Sequence, residues 1–278
     1  MRTLVLEPGI EPKYERALAA SARKAGWEVA LVQHIPHTTL FLSSDEEGRP
    51  GKNVDESLLR NPDCWFHGSI QASKSAQKGT SWAVHAPWYA LRCSAYYPKL
   101  RARLFQQRHE FTTVAGVLAD KDRLFASDLV VDETLFFRPD GSDKLFTGGC
   151  ISLPDFDAGY RLMTFYDPPP EAPVVVAQPK QVLAEARFLV VGGEVVAGSY
   201  YKIGTQGLKL RADTDLMAIA REFLAFCKAQ GFDPAPSWVL DLGQDAEGWW
   251  IMEVGATSCC GFYKCDLDAF VESLDQVL

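Results

Sequence analysis

The segment from Leu183 to Lys202, LAEARFLVVGGEVVAGSYYK, constrains the fold of this chain more than any other. Two strand-like runs flank Gly192-Gly193, and a two-residue glycine loop suits the positive φ of a tight hairpin turn. If Val191 pairs with Glu194, three further pairs follow: Arg187 with Gly198, Glu185 with Tyr200, and Leu183 with Lys202. Because opposed residues share a face, the pattern predicts an antiparallel hairpin with Glu185, Arg187 and Lys202 on one surface.

One carboxylate and two cations on a single face match what a nucleotide requires. An acid accepts hydrogen bonds from ribose hydroxyls, and Lys and Arg neutralise phosphate oxygens. Alternating charges also occur on any antiparallel sheet that has one solvated face. The hairpin alone therefore leaves two interpretations open, a nucleotide site and a solvated surface.

The beginning of the chain has the pattern of a β-α-β unit. A strand is expected at Thr3–Leu6, a helix at Pro12–Ala25 and a second strand at Trp27–Val32, since Pro12 suits a first helical turn and Gly26 a helix end. This order predicts parallel strands. No GxGxxG sequence follows the first strand, so a dinucleotide-dependent reductase is only a third alternative.

Residues 33 to 62 are rich in Pro, Gly, Ser and charge, and they are expected to be connecting segments. A strand is expected at Cys64–Phe66, followed by His67-Gly68-Ser69, in which His67 is either a catalytic base or an ordinary turn residue. A helix is expected at Tyr97–Gln107. The polar stretch from Gln106 to Thr113 then predicts two domains, at residues 1–108 and 109–278.

Strands and helices are segregated in the C-terminal portion. One long helix is expected at about Asp215–Gln230. Six strand-like runs accompany it, at Leu135–Arg138, Val174–Gln178, Ala184–Val191, Glu194–Lys202, Trp238–Leu242 and Trp249–Val254. Such segregation favours an α+β architecture with antiparallel sheets after the α/β beginning.

A second segment, LFFRPDGSDKLFTGG, runs from Leu135 to Gly149 and places Arg138 and Lys144 on either side of a Pro-Asp-Gly turn. Cations that flank a glycine-containing turn can approach an anionic ligand closely. Solvated charges around an ordinary hairpin turn are the alternative. The segment is not a Walker A loop, because no GxxxxGK[ST] sequence occurs.

A third segment, WVLDLGQDAEGWWIMEVG, contains Asp241 and Glu253 within two apolar strand-like runs. Buried acids are costly unless they are paired or bind a metal. If Gly243 pairs with Trp249, Val239 pairs with Glu253, and the two acids lie on one face a diagonal step apart. Paired carboxylates without soft ligands favour a hard ion such as Mg²⁺, whereas structural salt bridges are the alternative.

Composition narrows the class of protein. The formal net charge is −8, and the basic residues are scattered, which argues against nucleic-acid binding. The N-terminal apolar run is too short for a signal peptide and no segment is long enough to span a membrane, so a cytoplasmic location is expected.

The seven cysteines lack CxxC spacing and are expected to be reduced thiols, with a metal or redox cluster at Cys259, Cys260 and Cys265 as the alternative.

Together, the RP...KLFTG segment, the ExR strand and the D...E...GFY pattern that ends at Gly261–Asp266 resemble the ATP-grasp superfamily. They are most similar to the clade named for two arginines and one lysine. The resemblance implies a Rossmann-like pre-ATP-grasp domain, followed by an ATP-grasp fold that holds ATP between two α+β subdomains.

The resemblance also assigns roles to individual residues. Arg138 and Lys144 would meet the ATP phosphates, and Arg187 would be the second signature arginine. The linker Gln178-Pro179-Lys180-Gln181 would meet adenine, Glu185 the ribose and Lys202 a phosphate. Asp241 and Glu253 would bind Mg²⁺.

The implied activity is an ATP-dependent ligase that joins a carboxylate to an amine or similar nucleophile through an acylphosphate, with small molecules or peptides as substrates. One residue departs from the family pattern: Gly255 stands where the family usually has Asn. Water can replace a lost amide oxygen around Mg²⁺. A catalytically weakened ATP-binding sensor, or a module that holds a partner, is therefore the second alternative. The oligomeric state is not indicated by the sequence.

Overall fold

The computed structural model describes all 278 residues, which form three sheets in chain order. The first sheet has the strand order β4-β3-β2-β1-β5, and β2, β1 and β5 are parallel. The elements of this first unit are β1 (Thr3–Leu6), α1 (Pro12–Lys24), β2 (Glu28–His34), β3 (Phe41–Ser44), β4 (Pro50–Asn53), α2 (Glu56–Leu59), β5 (Cys64–His67), α3 (Ile70–Gly79) and α4 (Cys93–Leu100).

Two predictions for this unit were wrong. Residues 33 to 62 contain β3, β4 and α2 in addition to connections. The predicted helix Tyr97–Gln107 is in fact α4, which starts at Cys93 and ends at Leu100, followed by a 3-10 turn at Arg101–Arg103. Pro98 inside α4 did not prevent it, because the apolar side of that helix is buried. The β-α-β opening with parallel strands is confirmed, whereas the Rossmann-like assignment and the boundary near residue 108 stay predictions.

The second sheet is antiparallel and has the order β6-β9-β7-β8. Its apolar side packs against short helices, in a core that includes Leu135, Phe137 and Phe156. The elements of this second unit are β6 (His109–Thr113), α5 (Val114–Ala119), α6 (Lys121–Phe125), β7 (Thr134–Pro139), β8 (Gly149–Ser152), α7 (Phe156–Met163) and β9 (Pro173–Ala177).

The third sheet is also antiparallel, with the order β12-β11-β10-β13-β14. Helix α8 begins where the Asp213 side chain accepts a hydrogen bond from the Leu216 amide at 2.8 Å. The elements of this third unit are β10 (Ala184–Val191), β11 (Glu194–Ile203), β12 (Leu210–Arg211), α8 (Thr214–Ala229), β13 (Ser237–Asp245), β14 (Gly248–Ala256) and α9 (Leu267–Asp275). The predicted α+β organisation of this portion is confirmed by these two antiparallel sheets.

The predicted registers in the third sheet were wrong in detail. Gly192 and Gly193 form the expected turn with φ of +57° and +75°, but two register shifts place Arg187 opposite Ser199 and Glu185 opposite Lys202. A shift between β13 and β14 places Asp241 directly opposite Glu253 instead of a diagonal step away. Each bulge inserts one residue into one strand, which sequence alternation alone does not reveal.

Apolar cores connect the units and fix their relative positions. Leu4 and Leu6 of β1 share one core with Phe270 of α9, so the first sheet packs against the end of the chain. Tyr96 and Tyr97 of α4 share another core with Trp238 of β13. No helix of the structure has the length and apolar character needed to cross a membrane.

Candidate active site

Two cavities share part of their lining. The larger, of about 490 Å³, lies between the second and third units. The smaller, of about 380 Å³, is lined by residues of the first and third units and by Ser142 and Lys144 of the second. Both are lined by Ser142, Lys144 and Glu253, so these three residues stand where the cavities join. Molecules bound in the two cavities would therefore lie next to each other at these three residues.

Arg187, Asp241 and Glu253 form a row across three neighbouring strands of the third sheet. Arg187 of β10 is opposite Asp241 of β13, which is opposite Glu253 of β14. Arg187 donates to both oxygens of Asp241, at 2.9 and 2.7 Å, and its Nη1 donates to the carbonyl of Gly261 at 2.9 Å. This fork fixes the guanidinium rigidly.

The Asp241 carboxylate is 3% exposed. Burial raises its pKa above the ordinary value, Arg187 opposes that shift, and the negative charges of Glu253 and Glu185 add to it. Arg187 is thus the group that favours the ionised form of Asp241.

Arg138 reaches the same row from the second unit. It follows Phe137 in β7, and its Nη2 donates to Glu253 Oε1 at 3.0 Å while its Nη1 donates to the carbonyl of Met252 at 3.2 Å. The Arg138 side chain is only 11% exposed. Burial opposes its charge, but Glu253 contributes to a net rise of its pKa well above the ordinary value. Arg138 therefore stays charged and faces the larger cavity.

Glu185 and Lys202 line the larger cavity and are paired, with Lys202 Nζ donating to Glu185 Oε1 at 2.8 Å. The bulged register of β10 and β11 brings them directly opposite each other. These two charges therefore pair with each other and also face a cavity, and the nucleotide-site interpretation of the hairpin stays a prediction.

Lys144 lies in the loop between β7 and β8 and has no ion-pair or hydrogen-bond partner. Its φ of +53° is unusual for a residue with a side chain, and such backbone strain commonly occurs at functional sites. Two residues earlier, the Ser142 hydroxyl is buried without a hydrogen-bond partner. A buried hydroxyl that lacks a protein partner is free to hydrogen-bond to water or to a ligand group. Sequence analysis missed Ser142, since one serine in a turn carries no special signal.

The predicted linker from Gln178 to Gln181 contributes only in part. Gln178 and Lys180 line the larger cavity, whereas Pro179 and Gln181 do not. Lys180 donates to Asp245 at 3.1 Å, and its ammonium lies 5.2 Å from the Phe105 ring and 5.0 Å from the Trp250 ring. The linker backbone adjoins the second unit, since the Gln178 amide donates to the carbonyl of Arg108 at 3.2 Å.

The donor set suits Mg²⁺ better than a softer metal. Asp241 and Glu253 are the opposed carboxylates, and no group of three or more His, Cys, Asp or Glu side chains is arranged to hold a metal ion. Gly255 supplies no side-chain oxygen. Mg²⁺ commonly binds through one or two carboxylates together with substrate phosphates and water, so the two acids fit it when a triphosphate is present.

His67 is the last residue of β5 and not part of a turn. Its Nδ1 lies 3.0 Å from the carbonyl of Thr257, and its ring packs against that of Phe262 at 4.9 Å. Burial lowers the pKa of His67 to about 4, so the ring is neutral at physiological pH. It lines the smaller cavity as an uncharged group.

The cysteines are all free thiols, as the sequence predicted. Burial raises the pKa of Cys259 to about 11 and that of Cys265 to about 12, so these two are not thiolates at physiological pH. The alternative of a metal cluster at Cys259, Cys260 and Cys265 finds no support, because no such group is arranged to hold a metal.

An aromatic stack lies beside Arg187. Tyr201 and Tyr263 stack with centroids 4.9 Å apart, and the guanidinium lies 5.0 Å from the Tyr263 ring. Tyr263 belongs to the GFY sequence and has a φ of +51°. Tyr263 also lines the smaller cavity.

Comparisons with known proteins agree on the fold. A family model described as "ATP-grasp domain, R2K clade family 3" matches residues 64–274. No match is found among the curated proteins. The crystal structure of D-cycloserine synthetase DcsG is similar with a TM-score of 0.64 and 13% identity over 99% of both chains.

Two further solved structures are similar. D-alanyl-alanine synthetase A from Vibrio cholerae O1 biovar eltor str. N16961 has a TM-score of 0.61 and 12% identity, over 99% of this chain and 97% of that chain. ATP-grasp ligase PsnB, complexed with minimal precursor, Mg and ADP, has a TM-score of 0.55 and 11% identity, over 99% of this chain and 96% of that chain. At these identities the likenesses establish the fold alone.

Proposed function

Because the chain belongs to the ATP-grasp family whose model is described as R2K clade, family 3, we propose that it is an ATP-dependent ligase that joins a carboxylate to an amine or related nucleophile. The observation that carries this proposal is the junction of two cavities at Lys144, Ser142 and Glu253. A ligase of this kind must bring the terminal phosphate of ATP against a carboxylate. One cavity for each molecule, joined at a cation, provides that arrangement.

In this proposal ATP occupies the larger cavity. Lys180 and Gln178, which line that cavity, would contact the base, and Glu185 would accept from the ribose hydroxyls. Arg138 and Lys202 would neutralise phosphate oxygens. Lys144 and the unpartnered Ser142 hydroxyl would then meet the terminal phosphate at the junction.

Asp241 and Glu253 would hold Mg²⁺, which when bound supplies positive charge to the phosphate oxygens. Arg187 and Arg138 currently pair with these acids. The two arginines would share these carboxylates with the metal and remain beside the phosphates. The rigid row across β10, β13 and β14 keeps these charges fixed as charge develops, which is the main electrostatic contribution of an enzyme of this type.

The proposed reaction has two steps. An oxygen of the substrate carboxylate attacks the terminal phosphorus, and the bond to the bridging oxygen breaks to release ADP and form an acylphosphate. The amine then attacks the acyl carbon, the carbon–oxygen bond to phosphate breaks, and the amine loses a proton. The chain's residues position the two reactants and neutralise charge, and no covalent protein intermediate is needed.

The test is ATP turnover by Lys144→Ala and Glu253→Ala, measured as phosphate release in the presence of candidate acids and amines. We expect turnover to fall by roughly 10²-fold or more, because each variant removes a charge from the junction. Glu253→Gln removes the charge but retains an acceptor for Arg138, so it should preserve the fold. Circular dichroism checks that each variant is folded. Lys78→Ala removes an exposed lysine outside both cavities and serves as control. Normal turnover in a junction variant would refute the site assignment.

Gly255 favours a second candidate, an ATP-binding sensor or partner-binding module of weakened catalysis. MgATP stabilises both kinds of protein against heat. Phosphate release with a panel of amino acids or small peptides supports the ligase, whereas stabilisation without any release supports the sensor. A cytoplasmic location, a pre-ATP-grasp domain at residues 1–108 and small-molecule or peptide substrates remain part of the proposal.

A further inference from the structure

Gln106 is a polar side chain that lies almost fully buried at the larger cavity. It is 7% exposed and lines that cavity together with its neighbour Phe105. Neither residue lines the smaller cavity, so both lie outside the junction at Lys144. Because the proposed function places the phosphates at that junction, Gln106 is left to contact another part of the nucleotide.

The backbone of this segment is fixed on both sides. The Phe105 amide donates to the carbonyl of Ile251 in β14 at 2.8 Å. The Gln106 carbonyl accepts from Nδ1 of His109 in β6 at 2.9 Å. A carbonyl oxygen can only accept, so Nδ1 carries the proton in this contact. The second and third units therefore hold Gln106 in place together.

The side chain of Gln106 is oriented by a buried tyrosine. The Tyr97 hydroxyl donates to Gln106 Oε1 at 3.3 Å. Tyr97 is fully buried, and burial raises the pKa of its hydroxyl, so the hydroxyl stays protonated and acts as the donor. With its oxygen engaged in this way, the amide presents its amino group, Nε2, in the other direction.

The Nε2 amino group has no partner within the protein and opens onto the cavity. The hydrogen bonds of the Gln106 side chain and carbonyl involve only the two oxygens. Nor is Nε2 one of the enclosed polar atoms without a partner, which belong to Trp27, Trp65 and Ser142. An atom that has no partner and is not enclosed has access to open space, and the open space that Gln106 lines is the larger cavity.

The amino group of Gln106 requires an acceptor on the ligand, because it donates hydrogen bonds and accepts none. In the proposed binding mode, Lys144 and Arg138 face the phosphates and Glu185 accepts from the ribose. The acceptors of ATP that remain are the unprotonated ring nitrogens of adenine, at positions 1, 3 and 7 of the ring. A carbon–hydrogen group at the contacted position would leave the nearly buried donor unpaired, which weakens binding.

We infer that Gln106 recognises the base of the nucleotide, with Nε2 donating to an unprotonated ring nitrogen. This inference rests on the proposed function, because it requires ATP in the larger cavity. Gln106 is accordingly a specificity-determining residue for the nucleotide. Tyr97 is a positioning residue that acts through Gln106, since it fixes which end of the amide faces the cavity.

The experiment is calorimetric titration of MgATP and of 1-deaza-, 3-deaza- and 7-deaza-ATP, in each of which a carbon–hydrogen group replaces one ring nitrogen. The nucleotides are titrated into the wild type, Gln106→Leu and Tyr97→Phe. Gln107→Leu is the matched control, because Gln107 is the next residue, has the same side chain and lines neither cavity. The measured quantity is the ratio of the Kd of each analogue to the Kd of ATP within one variant, so a general loss of affinity cancels.

We expect one analogue to bind the wild type about tenfold more weakly than ATP, since an unpaired buried donor has an effect of that size. Gln106→Leu should remove this difference, and Gln107→Leu should keep it. In Tyr97→Phe the amide is free to turn, so the ratio should fall. Ratios in Gln106→Leu that equal those of the wild type would overturn the inference, and a full wild-type ratio in Tyr97→Phe would overturn the positioning role of Tyr97.

Gln106→Glu provides a second test that does not depend on the folding of Gln106→Leu. The glutamate retains an acceptor for the Tyr97 hydroxyl but has no amide hydrogens. It should therefore lower the same ratio, and an unchanged ratio would contradict the inference. Circular dichroism checks that each variant is folded.

Phosphate release, measured on the same proteins with candidate acids and amines, separates this inference from the proposed function. A ratio that depends on Gln106, without phosphate release, would support the inference and refute the ligase. Phosphate release together with ratios that do not depend on Gln106 would overturn the inference and leave the ligase intact. Absence of ATP binding by the wild type would overturn the two together.

Discussion

Removing one member of the Arg187–Asp241 pair should lower the free energy of unfolding more than removing both. Asp241 is 3% exposed, and its two oxygens lie 2.9 and 2.7 Å from the guanidinium. In Asp241→Leu the arginine charge remains buried without its partner. Breaking a buried pair in this way costs about 3 to 5 kcal/mol. In a protein of this size that corresponds to a fall in Tm of roughly 6 to 20 °C.

Arg187→Met leaves the carboxyl instead, and its effect should depend on pH. Burial already raises the pKa of Asp241, and loss of the arginine raises it further. A raised pKa in the folded state contributes stability at low pH that is lost as the pH rises through that pKa. The destabilisation by Arg187→Met should therefore be smaller at about pH 5 than at about pH 8. Asp241→Leu has no titrating carboxyl and should lack this dependence.

The assay is urea-induced unfolding followed by tryptophan fluorescence, for both single variants and the double variant Arg187→Met with Asp241→Leu. The double variant should lose less stability than the sum of the single variants, because neither charge is left unpaired. Glu56→Gln, which breaks an exposed pair with Arg60 at 2.8 Å, is the control and should show little change. Additive losses, or a loss in Asp241→Leu no greater than in the control, would refute the buried pair.

Two further predictions follow from other residues. Burial lowers the pKa of His85 to about 4, so its contribution to stability is present above the pKa of the unfolded chain, about 6.5, and is lost as the pH falls. From this group, the free energy of unfolding of the wild type should be about 2 kcal/mol lower at pH 5 than at pH 7. His85→Gln should reduce that pH dependence by the same amount, and a variant with the pH dependence of the wild type would contradict the prediction. A β-carbon on Gly255 would lie 3.4 Å from Val239, an ordinary contact distance, so Gly255→Asn should fold. The added amide oxygen should lower the Mg²⁺ concentration needed for half-maximal ATP turnover. An unchanged Mg²⁺ requirement in a folded variant would show that position 255 does not contribute to the metal site.

Strand and helix positions in the C-terminal portion were predictable from local pattern. The bounds of β10 were correct at both ends, and α8 was correct to within one residue. Alternation and glycine turns report local geometry directly, because side chains on a strand repeat every two residues. The elements missed between residues 33 and 62 are β3, β4 and α2, each only four residues long, and so short an element shows too few repeats for its pattern to be recognised.

The sequence by itself determined which charged residues were candidates and which strands carried them. Only the tertiary structure decided their partners: Arg138 pairs with Glu253 across 115 positions of the chain, and Arg187 pairs with Asp241 across 54. It alone placed Glu11 of the first unit against Gly261. Such contacts depend on how separate units pack and on single-residue bulges, and neither leaves a signal in the local order of residues.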